Sequence, residues 1–138
     1  MKSVDELTEH FRAAGRKVTP QRQSIFRALA GSTAHPTAEA VFEAVRIDLP
    51  TISLRTVYQT LNDLAALGEL SALDVGTGST RFDPNLTPHH HLVCDGCGRI
   101  EDLHLDYPGV AVPPEVAGDF EVTAAEIVFR GRCAACGA

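Results

Sequence analysis

The chain has 138 residues, 44% of them apolar, and carries 12 Lys/Arg against 18 Asp/Glu for a formal net charge of −6. That length allows one domain or two small ones, and no apolar run approaches the roughly 20 residues of a membrane span. Met1 leads into a polar amphipathic segment and not a signal peptide, so the expected setting is the cytoplasm, with reduced cysteines and no membrane partner.

The acidity is unevenly spread. Residues 1–70 carry eight Lys/Arg and eight Asp/Glu, while residues 71–138 carry four against ten. Between His10 and Glu39 lie Arg12, Arg16, Lys17, Arg22 and Arg27 with no acidic residue. A local basic stripe of this kind, and not global charge, is what meets phosphate. A solvated helix face would read the same way on charge alone.

The first seventy residues read as helices. Val4, Leu7 and Phe11 recur at helical spacing. Thr19 can cap a second helix with Pro20 at its first position and Ile25, Phe26 and Leu29 inward. Thr37 can cap a third, with Ala38, Val41, Phe42 and Val45 inward, stopping before Pro50. Ser53 can cap a fourth, with Leu54, Val57, Leu61 and Leu64 inward, ending near Gly68. The period then changes: Glu69–Val75 and Thr80–Asp83 flank G-T-G-S and read as a β-hairpin. Helices followed by a hairpin is the order of a winged helix-turn-helix. Residues 84–88 have linker composition. Beyond them His91–Cys94, Arg99–Leu105 and Glu121–Arg130 read as strands, and the Pro/Gly-rich piece Tyr107–Gly118 holds only a short helix. The expected class is α+β: a winged helix-turn-helix domain over 1–83, a hinge over 84–88 and a small α/β domain over 89–138.

Three groups of residues carry chemistry. With its apolar stripe inward, the fourth helix puts Arg55, Tyr58, Gln59 and Asn62 on another face. Arg, Gln and Asn can read base edges in a major groove, and Tyr can touch a thymine methyl or a phosphate. Any solvated helix also has a polar face; the basic stripe before it and the hairpin after it favour DNA. The second group is Cys94 and Cys97, followed by Gly98, with Cys133 and Cys136, followed by Gly137. Two residues between thiolates let a tight turn aim both sulfurs at one tetrahedral ion. Two such pairs favour zinc over disulfides or redox dithiols. The third is His35, Asp83, His89, His91 and Asp102, whose mixed imidazole and carboxylate donors suit Fe(II), Mn(II) or Zn(II). In an extended segment His89 and His91 share one face and His90 takes the other. Spacing by itself does not link His35 to Asp83.

The motifs V-T-P-Q-R at 18–22, A-H-P-T-A at 34–38, S-L-R-T-V-Y-Q-T-L at 53–61, H-H-H-L-V-C-D-G-C-G at 89–98 and the closing G-R-C-A-A-C follow one another in a specific order. Over nearly its whole length the chain resembles the ferric uptake regulator family of bacterial metal-dependent repressors. The resemblance implies an N-terminal winged-helix DNA-binding domain, a C-terminal α/β dimerisation domain and a homodimer. It implies structural Zn2+ on Cys94, Cys97, Cys133 and Cys136. It also implies a regulatory Fe2+ or Mn2+ on His35, Asp83, His89, His91 and Asp102, and DNA contacts from Lys17, Arg22, Arg55, Thr56, Tyr58, Gln59 and Asn62. R-F-D at 81–83 places aspartate where iron-sensing members typically carry glutamate, which points to the peroxide-sensing branch. There, metal-catalysed oxidation by hydrogen peroxide strikes ligand histidines, here His35 and His89. A pseudo-palindromic operator follows from paired recognition helices.

Two departures from the family pattern stand out. The segment A-A-E-I-V-F-R-G lacks the histidine of an additional metal site, so no complete third site is expected, and His90 and His104 remain surface or supporting residues. The prolines of 107–114 shorten the helix of the dimerisation domain. The competing functions are an iron-, zinc- or nickel-responsive regulator of the same family, a small non-haem iron enzyme, and a zinc-stabilised interaction module. The expectation is a regulator and not an enzyme.

Overall fold

A computed structural model describes residues 1–30, 32–106 and 110–137. The chain divides into two compact units, Met1–Thr87 and Pro88–Ala138. The first contains helices α1 (Val4–Ala13), α2 (Pro20–Leu29), α3 (Ala38–Val45) and α4 (Leu54–Ala66), then strands β1 (Ser71–Leu73) and β2 (Arg81–Asp83). Each helix begins where a hydroxyl can accept an otherwise orphaned backbone N–H. Ser3 accepts from the Glu6 amide, Thr19 from Arg22, Thr37 from Ala40 and Ser53 from Thr56.

The apolar stripes of the four helices meet in one core that includes Leu7, Phe11, Ile25, Phe26, Leu29, Val41, Val57, Leu61 and Leu64. Phe11 and Phe26 meet edge to face at 5.0 Å between ring centroids, a geometry the aromatic quadrupole favours. Phe42 and Leu54, expected inward, are only partly buried. β1 and β2 pair antiparallel as the wing, with Ala72 opposite Phe82. Both strands are shorter than the sequence pattern indicated. Glu69 is drawn into the unit by Lys2 and His10, and Gly76 and Gly78 take left-handed backbone with φ of 80° and 92°, which ends the ladder early.

The second unit contains β3 (His90–Cys94), β4 (Ile100–Leu103), α5 (Pro114–Ala117) and β5 (Val128–Gly131). The sheet order is β4-β3-β5, with β3 antiparallel to β4 and parallel to β5. The expected strand over 121–130 survives only from Val128. Its pairing runs from His91 opposite Val128 to Cys94 opposite Gly131. Among the described residues, 121–126 have no strand partner, and strand backbone needs ladder partners. The segment 107–118 supplies a single helical turn, begun by Pro113 and Pro114 and stopped at Gly118; its residues 107–109 lie outside the described residues. Among the described residues, no helix is long and apolar enough to cross a membrane.

Candidate metal centres and nucleic-acid interface

In the first unit α4 buries Val57, Thr60, Leu61 and Leu64. This leaves Arg55, Tyr58, Gln59 and Asn62 exposed, with Thr56 half-buried. Thr56 is tied to the helix cap, its hydroxyl lying 2.9 Å from Ser53 Oγ. The Tyr58 hydroxyl donates to Glu39 Oε1 on α3 at 2.6 Å. That bond raises the Tyr58 phenol and lowers the Glu39 carboxyl relative to their ordinary values.

The basic stripe is partly consumed inside the fold. Arg16 Nη1 reaches Asp63 Oδ1 at 2.6 Å and Arg22 Nη2 reaches Asp63 Oδ2 at 3.1 Å. Arg22 also donates to the Lys17 carbonyl and lies over the Phe11 ring at 5.5 Å. Arg12 pairs with Glu9. Lys17 and Arg27 are exposed. Arg22, expected at DNA, also links α2 to the far end of α4 through Asp63. Asp63 and Glu39 carry these roles without having been singled out in the sequence. An acidic residue on a polar helix face looks like solvated surface until its partner is located.

His35 precedes Pro36 and sits at φ 50°, the only non-glycine residue with positive φ among those described. Such a conformation costs on the order of 1–3 kcal/mol and persists because the surroundings hold it. The Phe82 amide donates to the Pro36 carbonyl at 2.9 Å, and Arg81 Nη1 donates to the His35 carbonyl at 3.3 Å. This clasp fixes β2 against the His35 turn. His35 Nε2 and Asp83 Oδ2 lie 3.3 Å apart, both side chains at least 98% buried. The other Asp83 oxygen accepts from the Asn85 amide at 2.9 Å, so a local turn orients the carboxylate. Asn85 was read only as linker.

In the second unit His89 Nε2 lies 3.0 Å and His91 Nε2 3.5 Å from Asp102 Oδ1. The β3–β4 register sets Asp102 opposite His91. His90 points elsewhere, its Nδ1 accepting from the Ile127 amide at 3.0 Å. His104 stacks against His89 with centroids 5.7 Å apart. Neighbouring ligand atoms around a six-coordinate ion with bonds near 2.1 Å are about 3 Å apart. The nitrogen–oxygen spacings within each unit match that edge length, so each set fits a transition metal.

The four cysteines of the second unit converge, with all four Sγ atoms within 4.8 Å of one another. Cys97 and Cys133 Sγ are 3.8 Å apart. That is far beyond the ~2.05 Å of a disulfide and equal to the ~3.8 Å edge of a tetrahedron with 2.3 Å metal–sulfur bonds. The parallel β3–β5 pairing brings the two knuckles together, and the Asp95 amide bonds the Gly131 carbonyl. Gly96 permits their close approach: a Cβ there would sit 2.8 Å from Cys136 Cβ. Gly98 makes the first knuckle's turn with φ 74°. Gly137 is needed for space, since a Cβ would meet the Cys133 carbonyl at 3.0 Å.

The amides of Cys133 and Cys97 hold Cys94 down to about 6, against its burial. Hydrogen bonding from Cys136 lowers Cys133. Cys136, crowded by the sulfurs of Cys133, Cys97 and Cys94, is pushed up to about 12. Four thiolates this close repel one another unless a cation stands among them, which suits a divalent ion.

A model of the ferric uptake regulator family matches residues 13–129. The chain belongs to that family. The peroxide-responsive repressor PerR of Staphylococcus epidermidis is 37% identical over 136 residues, covering 96% of this chain and 89% of the relative. The ferric uptake regulator Fur of Helicobacter pylori, described as having three functional metal binding sites, shares the fold with a TM-score of 0.74 at 20% identity, covering 99% of this chain and 97% of that one. The Campylobacter jejuni peroxide stress regulator aligns with a TM-score of 0.62 at 26% identity, over 99% of this chain and all of its own. The winged-helix and α/β units described above are therefore those of a ferric uptake regulator fold. The family match ends before Cys133 and Cys136, so the second knuckle rests on the geometry above.

Proposed function

We propose that this chain is a metal-dependent, DNA-binding transcriptional repressor that releases its operator when hydrogen peroxide oxidises a regulatory site. One observation carries the reading: each unit by itself sets imidazole and carboxylate groups at metal-ligand spacing. His35 and Asp83 are preassembled in the unit that bears the recognition helix, and His89, His91 and Asp102 in the other. In this reading, which follows the family resemblance, one regulatory Fe2+ or Mn2+ would be held by these five side chains. A bound Fe(II) would supply one electron to peroxide, leaving the remaining oxidising equivalents to be taken from a nearby ligand side chain. His35 and His89 are the side chains that take up the oxidation. Loss of either ligand weakens metal binding and shifts the population away from the DNA-binding arrangement.

The Cys94, Cys97, Cys133 and Cys136 thiolates hold Zn2+ as a structural ion in this reading. Arg55, Tyr58, Gln59 and Asn62, flanked by Thr56 and Lys17, meet DNA, while Arg22 contributes through its grip on Asp63. Two copies act as a dimer on a pseudo-palindromic operator. Support for the dimer comes from the apolar side chains left exposed in the second unit, among them Phe120 at 74% and Val116 at 73%. A second copy seated on these side chains would bury that apolar surface. The domain division proposed is a DNA-binding domain over 1–83, a hinge over 84–88 and a dimerisation domain over 89–138.

The identity with peroxide-responsive repressors and the aspartate at position 83 support peroxide sensing over metal-sufficiency sensing. Regulation fits better than catalysis because the chain belongs to a family of regulators and its curated relatives are repressors. The test is duplex binding by Mn(II)- and Fe(II)-loaded protein before and after peroxide, with mass spectrometry of the His35 and His89 peptides. Binding should be lost only in the Fe(II) form, with oxygen added to one of these histidines. Equal loss with both metals and no added oxygen overturns the peroxide mechanism.

A further inference from the structure

Of the side chains on the exposed face of α4, Tyr58 stands apart. Arg55, Gln59 and Asn62 make no side-chain hydrogen bond or ion pair within the described structure, so their polar ends are available to a ligand. Tyr58 is held from a second helix: its hydroxyl donates to Glu39 Oε1 across 2.6 Å. Glu39 lies in the first turn of α3, a position where the helix dipole and unpaired amides favour a carboxylate. A short O–H to carboxylate bond is of the strong, charge-assisted kind. It fixes both the hydroxyl rotor and the swing of the ring.

We propose that Glu39 is a positioning residue for DNA reading, which sets the Tyr58 ring on the recognition face and commits its hydroxyl away from phosphate. The proposal rests on the DNA-binding reading above. With its proton given to one anion, the Tyr58 hydroxyl is a poor donor to another. The Glu39 charge also repels a phosphate that approaches it. The ring is left as the reading surface, suited to the apolar edge of a base such as a thymine methyl. Glu39 thus works against indiscriminate backbone binding while preserving sequence reading. Phosphate contacts supply affinity without sequence information, so a fixed negative charge beside them sharpens selectivity.

The test uses full-length Mn(II)-loaded protein and a duplex selected by the wild type from a random-sequence pool, with an unrelated duplex as control. E39A and Y58F should each weaken selected-duplex binding about fivefold, the net scale of one ordinary hydrogen bond. The E39A/Y58F double variant should be no weaker than either single. E39A should bind the unrelated duplex at least as well as the wild type. A second readout needs no DNA: in a Y107F background the remaining tyrosine, Tyr58, should ionise at higher pH than free tyrosine, and E39Q should bring it back. Additive losses in the cycle, or identical titration of Tyr58 with and without E39Q, would overturn the positioning role while leaving DNA binding intact. If the wild type selects no duplex at all, the DNA-binding reading fails and takes this proposal with it.

Discussion

The two units reach stability by different means. Residues 1–87 bury fourteen apolar side chains in one core beneath four capped helices. In the second unit the buried residues among those described are His91, Val93, Cys94 and Ile100, while Phe120, Val110 and Val116 stand more than 70% exposed. A small unit with so little core needs a staple. The cysteine cluster is placed to be one, and association with a second copy would cover the apolar residues. The contrast shows where sequence periodicity suffices for a fold and where ligand chemistry has to complete it.

The largest effect expected is on that staple. Replacing Cys94 by Ser, or stripping the metal with a chelator, should unfold β3–β5 and leave α1–α4 intact; structural zinc contributes on the order of 10–16 kcal/mol in comparable small sites. Amide hydrogen exchange reads this directly. Equal loss of protection in both units would erase the distinction drawn between them. The reciprocal change, Phe26→Ala, should cost the first unit about 3–5 kcal/mol in urea unfolding, with bound zinc per chain unchanged.

Asp63→Ala should cost about 2–3 kcal/mol, because it leaves Arg16 and Arg22 without their shared carboxylate. Operator binding should fall with it, since α4 loses its link to α2. A thermal melt unchanged from wild type would show the pair of bridges to be ornamental surface contacts. Replacing Phe120 by Glu should shift the sedimentation of the intact protein toward monomer without altering the helical signal of the first unit.

The smallest effect expected is a pH dependence of the first unit alone. Burial works to raise the Glu69 carboxyl, but Lys2 and His10 outweigh it and the net shift is downward. A carboxyl lowered on folding adds stability above its unfolded value and loses it as pH falls through the folded value. Glu69→Gln should therefore flatten the acid limb of the first unit's stability below about pH 4.3. An acid limb unchanged by this substitution would assign the sensitivity to other carboxylates.

Much of this was legible in the residues themselves. Thr19, Thr37 and Ser53 mark helix starts because a cap acts on amides two or three residues away. The buried stripe Ile25, Phe26 and Leu29 follows from the same short range. The strand read over 121–130 shrank to Val128–Gly131 because a strand is defined by its neighbour, and β3 offers register partners only from His91 onward. Arg22 looked available to DNA because its partner Asp63 is 41 residues away.

By itself the sequence determined the helical half, the hairpin wing and the paired Cys-x-x-Cys candidates for a metal, since period, caps and Cys-x-x-Cys spacing are local properties of the chain. Tertiary structure alone decided how those residues are used. It closed the four sulfurs to tetrahedral spacing through a parallel strand pair and a Gly96 with no Cβ in the way. It turned Asp83 toward His35 by an Asn85 amide and a strained turn before Pro36. It also divided the charged side chains into those tied to a partner side chain, such as Arg22 to Asp63 and Glu39 to Tyr58, and those without one among the described residues, such as Arg55. Such assignments rest on contacts between residues far apart in sequence, where distance and burial set which charge finds which partner.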